Sequence, residues 1–314
     1  MSFKVLKPGL LTTLQDLGRQ GFQHLGITEG GPMDEHAFRW ANALLNNPVN
    51  ACAIEVTYGG LELVASQPTM IAITGGDLGA SLNGEPLLNW STHAVKAGDK
   101  IVFRHPVSGL RSYLSVADGF AVKPVLGSCS TVLRETLGGL NGDGAPIKAG
   151  DELRYSPRLP CETRTVPLSD IPNYREDLEL GVIPGYQFEL FSSLERRRFF
   201  GHQYEVTNNI DRMGYRLKGA KITAEQTGII SEGIALGAIQ IPADGQPIIL
   251  MRDRQTIGGY PKIGTLTALD VGQLSQRSPG ATVRFCIRDI SYAQAQRHVF
   301  DRHLKHLKLA DINQ

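Results

Sequence analysis

Pro247-Ile248-Ile249-Leu250-Met251 is a short apolar run that stops abruptly at Arg252-Asp253-Arg254-Gln255-Thr256-Ile257-Gly258-Gly259-Tyr260-Pro261. Too short for an ordinary helix and closed by glycine and proline, it reads as a β-strand that ends in a polar turn. The same unit recurs on both sides. Ala238-Ile239-Gln240-Ile241 precedes it and Ala281-Thr282-Val283-Arg284-Phe285-Cys286-Ile287 follows it. Earlier come Ala53-Ile54-Glu55-Val56-Thr57-Tyr58, Met70-Ile71-Ala72-Ile73-Thr74, Lys100-Ile101-Val102-Phe103 and Arg111-Ser112-Tyr113-Leu114-Ser115-Val116. Evenly spaced short strands of this kind predict a mainly β fold, a sandwich or a barrel. The 35 glycines and 17 prolines, without a collagen period, supply the turns such a fold needs.

Two helices interrupt the pattern. Asp34 is placed as an N-cap before a face of Ala37, Trp40, Ala41, Leu44 and Leu45, which predicts a helix over 34–45. Tyr292 to Leu309 predicts a second, amphipathic and basic at its end, where Arg302-His303-Leu304-Lys305-His306-Leu307-Lys308 fits a packed helix with a solvated basic face.

Charge and composition exclude several classes. With Lys+Arg 32 against Asp+Glu 31, the chain has none of the basic excess of an electrostatic nucleic-acid binder. No apolar run approaches the ~18 residues that span a bilayer. The start, Met1-Ser2-Phe3-Lys4-Val5-Leu6-Lys7-Pro8-Gly9, has no signal-peptide core. Cys52, Cys129, Cys161 and Cys286 are scattered, as suits reduced thiols rather than a disulfide framework or a zinc site. A cytoplasmic protein with no membrane or nucleic-acid partner and no metal of its own is expected.

The chain also repeats itself in order. Leu14-Gln15-Asp16-Leu17-Gly18-Arg19, Thr28-Glu29-Gly30-Gly31, Ala53–Val56 and Thr74-Gly75-Gly76 are echoed by Asp211-Arg212-Met213-Gly214-Tyr215-Arg216, Ser231-Glu232-Gly233, Ala238–Ile241 and Thr256-Ile257-Gly258-Gly259. Two related β domains are expected, over residues 1–165 (with the 34–45 helix inserted) and 166–290, followed by a helical tail over 291–314. The stretch from Pro157 to Asp177, with Pro157, Pro160, Pro167 and Pro172, reads as the linker. Two copies would frame a cleft, a common place for small-molecule sites.

Motifs for P-loops, zinc proteases, serine hydrolases and EF-hands are absent. The polar clusters remain. In Arg252–Pro261, arginine offers a fork for carboxylate or phosphate and Gly258-Gly259 allows close backbone approach. Asp253 is a candidate proton acceptor, and Gln255, Thr256 and Tyr260 can read an amide; a surface turn with an ion-pair net is the alternative. Gly30-Gly31-Pro32-Met33-Asp34 either opens a helix for structural reasons or offers an anion site at its N-terminus. Glu29 and Glu232, at matching positions of the two halves, are candidates for facing carboxylates that move protons. Asp16 with Arg19, and Asp211 with Arg212 and Arg216, read as structural pairs. Gly127-Ser128-Cys129-Ser130-Thr131 reads as a hydroxyl-rich turn, since no base accompanies it.

These residues carry a resemblance. Thr12-Thr13-Leu14-Gln15-Asp16-Leu17-Gly18-Arg19, Gly30-Gly31-Pro32-Met33-Asp34 with Ala41-Asn42, and Leu126–Thr131 resemble the second subunit of the allophanate hydrolase group. So do Asp211–Leu217, Gly237-Ala238-Ile239-Gln240-Ile241-Pro242 and Asp253–Pro261. This is the family of the C-type 5-oxoprolinase subunit, of the kinase-inhibitor antagonist KipA and of one half of the urea carboxylase carboxyltransferase domain. The resemblance runs from about Lys4 to Phe285 and departs at Val116-Ala117-Asp118-Gly119, where the family pattern has Ala-Gly-Gly.

The resemblance implies two tandem cyclophilin-like β barrels. It also implies a component of an ATP-dependent 5-oxoprolinase, in which a B-type subunit (similar to allophanate hydrolase subunit 1) helps activate the lactam and an A-type lactamase completes ring opening to glutamate. On that reading Asp253, Glu232 and Arg252 are the expected catalytic residues. Gln255, Thr256, Gly258, Gly259, Tyr260, Arg212, Ser231, Gly30, Gly31 and Asp34 are the expected substrate contacts. ATP with Mg²⁺ is shared with the partner subunit. The alternatives are a biotin-dependent carboxyltransferase component and a non-catalytic KipA-like regulator.

Overall fold

The computed structural model describes residues 1–158 and 163–310, with the side chains of 306–310 outside the description; Pro160 and Cys161 lie outside the described residues. Among the described residues four α-helices accompany the strands of a mainly β fold: α1 (Glu35–Leu44), α2 (Ser193–Gly201), α3 (Ala268–Ser275) and α4 (Ile290–Ala310). Contacts divide it into two units. The first comprises Met1–Arg19, Gly30–Arg175 and Asp301–Gln314; the second comprises Gln20–Glu29 and Glu176–Phe300.

The first unit holds a six-stranded and a five-stranded sheet. Ser108–Val116 is central to the smaller sheet, pairing antiparallel with Ala53–Thr57 on one side and Thr69–Asp77 on the other. Ala53–Thr57 and most of Thr69–Asp77 are buried along their whole length, with Glu55, Thr57, Thr69 and Thr74 among the buried polar side chains. Phe3, Val5, Leu14, Ile54, Leu63, Ile73 and Leu114 belong to one core cluster, each 1% exposed or less. α1 buries Ala37, Phe38, Trp40, Ala41 and Leu44, and its N-cap Asp34 accepts the Ala37 N–H at 3.1 Å, as expected from sequence. Where the family pattern is broken, Asp118 and Gly119 both take positive φ, +66° and +79°. Asp enters that region at modest cost, which is why the turn survives the exchange.

The hydroxyl-rich turn is structural. Ser128 Oγ and Ser130 Oγ donate to Asp16 Oδ1 at 2.5 and 2.7 Å, and the Cys129 N–H donates to Oδ2 at 2.9 Å. Arg19, 1% exposed, donates to the carbonyls of Val125 and Ser130 at 3.0 and 2.9 Å. Asp16→Ala would leave the buried Ser128, Cys129 and Ser130 donors without their acceptor. We expect a stability loss of roughly 1–3 kcal/mol, read by denaturant unfolding.

The proline-rich stretch is not a free linker. The Val166 N–H donates to the Trp90 carbonyl, and the Tyr174 hydroxyl donates to Asp34 Oδ2 at 2.8 Å. Val166 and Tyr174 are buried, so the described part of this segment up to Arg175 packs as part of the first unit.

The second unit is a closed barrel. Its strands run in the order Leu178–Pro184, Lys262–Leu266, Ala238–Gln240, Ile248–Leu250, Gly214–Gly219, Gln203–Ile210 and Thr282–Ile287, and the last pairs in parallel with the first. Closure removes the exposed edges of such short strands. Phe199 stacks on Phe285 at 4.4 Å between ring centroids, with Tyr204 against both. Gly264 is required where two strands meet: a Cβ there would lie 2.5 Å from Val182 Cγ1. The basic tail is a packed helix. Phe300 and Leu304 are buried, and in the first unit Asp301 pairs with Arg39 at 2.7 Å and His303 with Asp170 at 2.7 Å. No helix among the described residues is long and apolar enough to cross a membrane.

Candidate functional site

The loop that follows the strand Ile248–Leu250 turns inward. Arg252, Asp253 and Arg254 are 8%, 4% and 5% exposed, so the ion-rich turn is buried rather than a surface net. Asp211 caps the preceding hairpin turn by accepting the Met213 and Gly214 N–H groups at 2.7 and 2.9 Å. Arg212 reaches across to Asp253. Its Nε and Nη2 donate to Asp253 Oδ2 and Oδ1 at 2.8 and 2.9 Å, and the Asp253 N–H returns to the Arg212 carbonyl at 2.7 Å.

This changes the part Asp253 plays. Both carboxylate oxygens accept from one guanidinium fork, with the two side chains each 6% exposed. Protonating Asp253 would break a buried bidentate pair, so the group suits positioning rather than proton transfer. Arg216, the other expected partner, reaches Asp244 at 3.7 Å instead. Arg254, which sequence reasoning did not single out, donates to the Ile234 carbonyl at 3.2 Å and pairs with Glu29 at 3.3 Å. Burial lowers its pKa and Glu29 opposes the shift.

The two expected facing carboxylates are corrected by the same contacts. Glu29 lies in the second unit, in the segment Gln20–Glu29, together with Glu232. Each carboxylate holds its own cation, Arg254 for Glu29 and Lys262 for Glu232. They do not face each other as a proton-moving pair, since each is held by its own cation.

Ile257–Gly258 pairs antiparallel with Glu232–Gly233, setting Glu232 opposite Gly258. This short ladder joins the Arg252–Pro261 loop to the carboxylate. The Ile229 N–H donates to the Gly259 carbonyl, and the Thr256 carbonyl accepts the Ile234 N–H. Gly258 is glycine for packing reasons: a Cβ would stand 2.4 Å from Ile234 Cδ1 and 2.8 Å from Gln240 Nε2. Gly259 has Ile229 O and Ser231 Oγ at 3.1 and 3.3 Å from the same construction, which brings Ser231 beside it. Gln255 and Tyr260 line an open groove with Gln240.

Glu232 faces a cavity of about 280 Å³ with Tyr186, Gln187 and Lys262. It accepts from the Lys262 ammonium and the Tyr186 hydroxyl, and from Gln187 Nε2 at 2.7 Å. Gln187 also donates to the Tyr186 hydroxyl at 2.9 Å, while its Oε1 accepts the Lys262 backbone N–H at 2.8 Å. Four polar groups thus converge in one place. Burial works against ionisation of Glu232, but the bonds from Lys262, Tyr186 and Gln187 outweigh it and hold the carboxyl below its ordinary range. In return, its acceptance from Tyr186 pushes that phenol upward.

A depressed carboxyl pKa stabilises the fold at pH above the unfolded value of about 4.3, and that stability is lost as pH falls through the folded value. We expect the stability gap between the native chain and Glu232→Gln to be constant above about pH 5 and to close below it. Urea unfolding at several pH values reads this directly. Of the four groups, sequence reasoning found Glu232 alone. Lys262 directly follows the quoted Arg252–Pro261 motif, whereas Gly185-Tyr186-Gln187 carries no motif.

Gly30, Gly31 and Asp34 belong to the first unit. Gly30 and Gly31 take φ of +67° and +94°, and a Cβ on Gly30 would meet Val132 Cγ2 at 2.9 Å. Asp34 caps α1 and accepts from Tyr174. These contacts account for all three residues through packing and capping. Among the described residues no three His, Cys, Asp or Glu side chains are grouped to hold a metal ion.

Known proteins resemble this chain in sequence and fold. The chain is 34% identical over 306 residues to the C-type 5-oxoprolinase subunit of Escherichia coli strain K12, a match that covers 97% of both chains. It is 35% identical over 278 residues to the C-type 5-oxoprolinase subunit of Haemophilus influenzae, covering 87% of each. The crystal structure of the K. lactis urea amidolyase superposes with a TM-score of 0.91 at 29% identity, over 98% of this chain and 20% of that one. A family model described as the carboxyltransferase domain, subdomain A and B, matches residues 25–287. The chain belongs to this carboxyltransferase-domain family.

Proposed function

We propose that this chain is the C-type component of an ATP-dependent 5-oxoprolinase, and that the cavity at Glu232 holds the lactam. The end-to-end match to two C-type 5-oxoprolinase components carries this reading, because it spans this chain and those relatives alike. The cavity's chemistry supports it. Lys262 offers a cation for the substrate carboxylate, while Gln187 and Tyr186 offer groups for the lactam amide.

The substrate carboxylate competes with Glu232 for Lys262. Once Glu232 loses that partner, its affinity for a proton rises, and it becomes a better acceptor for the lactam N–H. Removing that proton makes the lactam oxygen a nucleophile. The Arg212–Asp253 pair and the Glu232–Gly258 ladder hold the surrounding loop in place. ATP with Mg²⁺ would supply the phosphoryl group that this oxygen takes, and ADP would leave. On this reading the ion would arrive with ATP, and a B-type partner would complete the site. An A-type lactamase completes ring opening.

A biotin-dependent carboxyltransferase role is the second reading, favoured by the family and by the likeness to the urea amidolyase structure. A mixture of this chain with B-type and A-type partners separates the two. ATP-dependent release of glutamate from 5-oxoproline that stops when this chain is omitted supports the first reading. Turnover that appears only with a biotinylated carrier supports the second. Tight partner binding without turnover overturns both in favour of a regulator.

A further inference from the structure

A second cavity in the barrel unit, of about 180 Å³, opens where the strand Leu178–Pro184, the first turn of α3 and the first half of α4 meet. Smaller than the roughly 300–1,000 Å³ of a drug-sized site, it suits a ligand of amino-acid size. Gly181 makes the room: a Cβ there would lie 2.7 Å from Arg288 Cγ and 3.0 Å from Asp270 Oδ2. The lining carries charges of both signs, Glu179 and Asp270 against Arg288 and Arg297. It shares no residue with the cavity at Glu232.

These charges are only half engaged. Asp270 Oδ2 accepts the Thr267 hydroxyl at 2.7 Å and the Gly181 N–H at 2.9 Å, while nothing among the described residues donates to Oδ1. Burial raises the Asp270 pKa against the pull of those bonds and of Arg288, so this carboxylate lacks a cation near enough to offset its desolvation. Arg288 gives Nη2 to Glu179 Oε1 at 2.9 Å and lays its guanidinium 5.3 Å from the Tyr292 ring centroid. Its Nε and Nη1 make no bond among the described residues. At the start of α3 the N-cap Thr267 takes the Asp270 N–H at 3.3 Å, which leaves the Ala268 and Leu269 N–H groups without an acceptor in the helix.

A ligand with one sign of charge meets opposition here. An anion on Arg288 lies beside Asp270 and Glu179, and a cation on the two carboxylates lies beside both arginines. A ligand that carries both charges on one carbon answers each of them. We propose that this cavity binds a free α-amino acid, its ammonium on Asp270 Oδ1 and its carboxylate on Arg288 and the Ala268 and Leu269 N–H groups. A lactam acid such as 5-oxoproline has no ammonium, so the site accepts the ring-opened form and rejects the closed one. The inference does not depend on what the Glu232 cavity holds.

The test uses the full chain with L-alanine and L-glutamate as probes, by saturation-transfer NMR and calorimetry, and their hydroxy-acid counterparts lactate and 2-hydroxyglutarate as controls. At least one amino acid binds, and its hydroxy acid binds roughly 10–100-fold more weakly for want of the ammonium. Asp270→Asn keeps an oxygen for Thr267 and Gly181 but loses the charge, and it weakens the amino acid by a similar factor. Ala268→Pro deletes one unclaimed N–H at the first helical position, where proline is favoured, and Thr267 before it already holds the extended conformation that proline requires. It weakens binding by a smaller factor and leaves the melting temperature unchanged, so it decides the matter even if Asp270→Asn folds poorly. Lys262→Met binds the amino acid as the native chain does, which separates this site from the one at Glu232. Binding of neither amino acid overturns the inference. So does equal binding of the hydroxy acid, unchanged affinity in Asp270→Asn or in Ala268→Pro, or lost affinity in Lys262→Met.

Discussion

Arg212→Met will destabilise the second unit by about 3–5 kcal/mol. The substitution keeps the apolar stem of the side chain but removes the fork that holds both oxygens of Asp253 at 2.8 and 2.9 Å. A carboxylate in a nearly dry environment then loses its bidentate cation, and that loss dominates. The Asp253 N–H to Arg212 carbonyl bond survives in the variant, so the turn can still form. Arg212→Met combined with Asp253→Leu should recover most of the loss, because exchanging a whole buried ion pair for apolar groups is often close to neutral. Urea unfolding followed by circular dichroism distinguishes the cases. A single variant within about 1 kcal/mol of the native chain, below the usual cost of an unpaired buried charge, would show that the pair is not the anchor of this loop.

Lys262→Met will lower kcat/KM for 5-oxoproline by roughly 10²–10³ in the reconstituted complex, a factor typical of losing one preorganised charged contact. Two effects add. The substrate carboxylate loses its cation, and Glu232 loses the competition that ties its proton affinity to substrate arrival. The lysine side chain is only 12% exposed, so water replaces its ammonium poorly. Lys262→Arg should restore part of the loss by keeping the charge while changing its reach. If Lys262→Met leaves both kcat and KM unchanged, the cavity does not bind the lactam.

The strands and the family were legible because both depend on local pattern. Pro247–Met251 needed only its apolar run and its flanking turn to be recognised, and Asp34 needed only its position before the apolar face of α1. What sequence reading missed depends on which neighbour each charge selects in three dimensions. Nothing in Asp211-Arg212 indicates that Asp211 closes its own turn while Arg212 reaches forty-one positions ahead to Asp253. Glu29 looked like the counterpart of Glu232 by spacing, yet its segment joins the second unit and meets Arg254. Tyr186 and Gln187 were invisible because barrel closure, rather than any motif, brings the end of Leu178–Pro184 to Lys262. Gly30 and Gly258 are both demanded by packing, a constraint that looks the same in sequence as an approach to ligand.

The central claim is that the Glu232–Lys262 cavity holds the lactam, and calorimetric binding of 5-oxoproline to the complex with the B-type partner tests it most directly. With a non-hydrolysable ATP analogue present, the native complex should bind 5-oxoproline, and Lys262→Met should weaken that binding roughly 10–100-fold, the worth of one charged contact. Equal affinity in the two complexes would contradict the account.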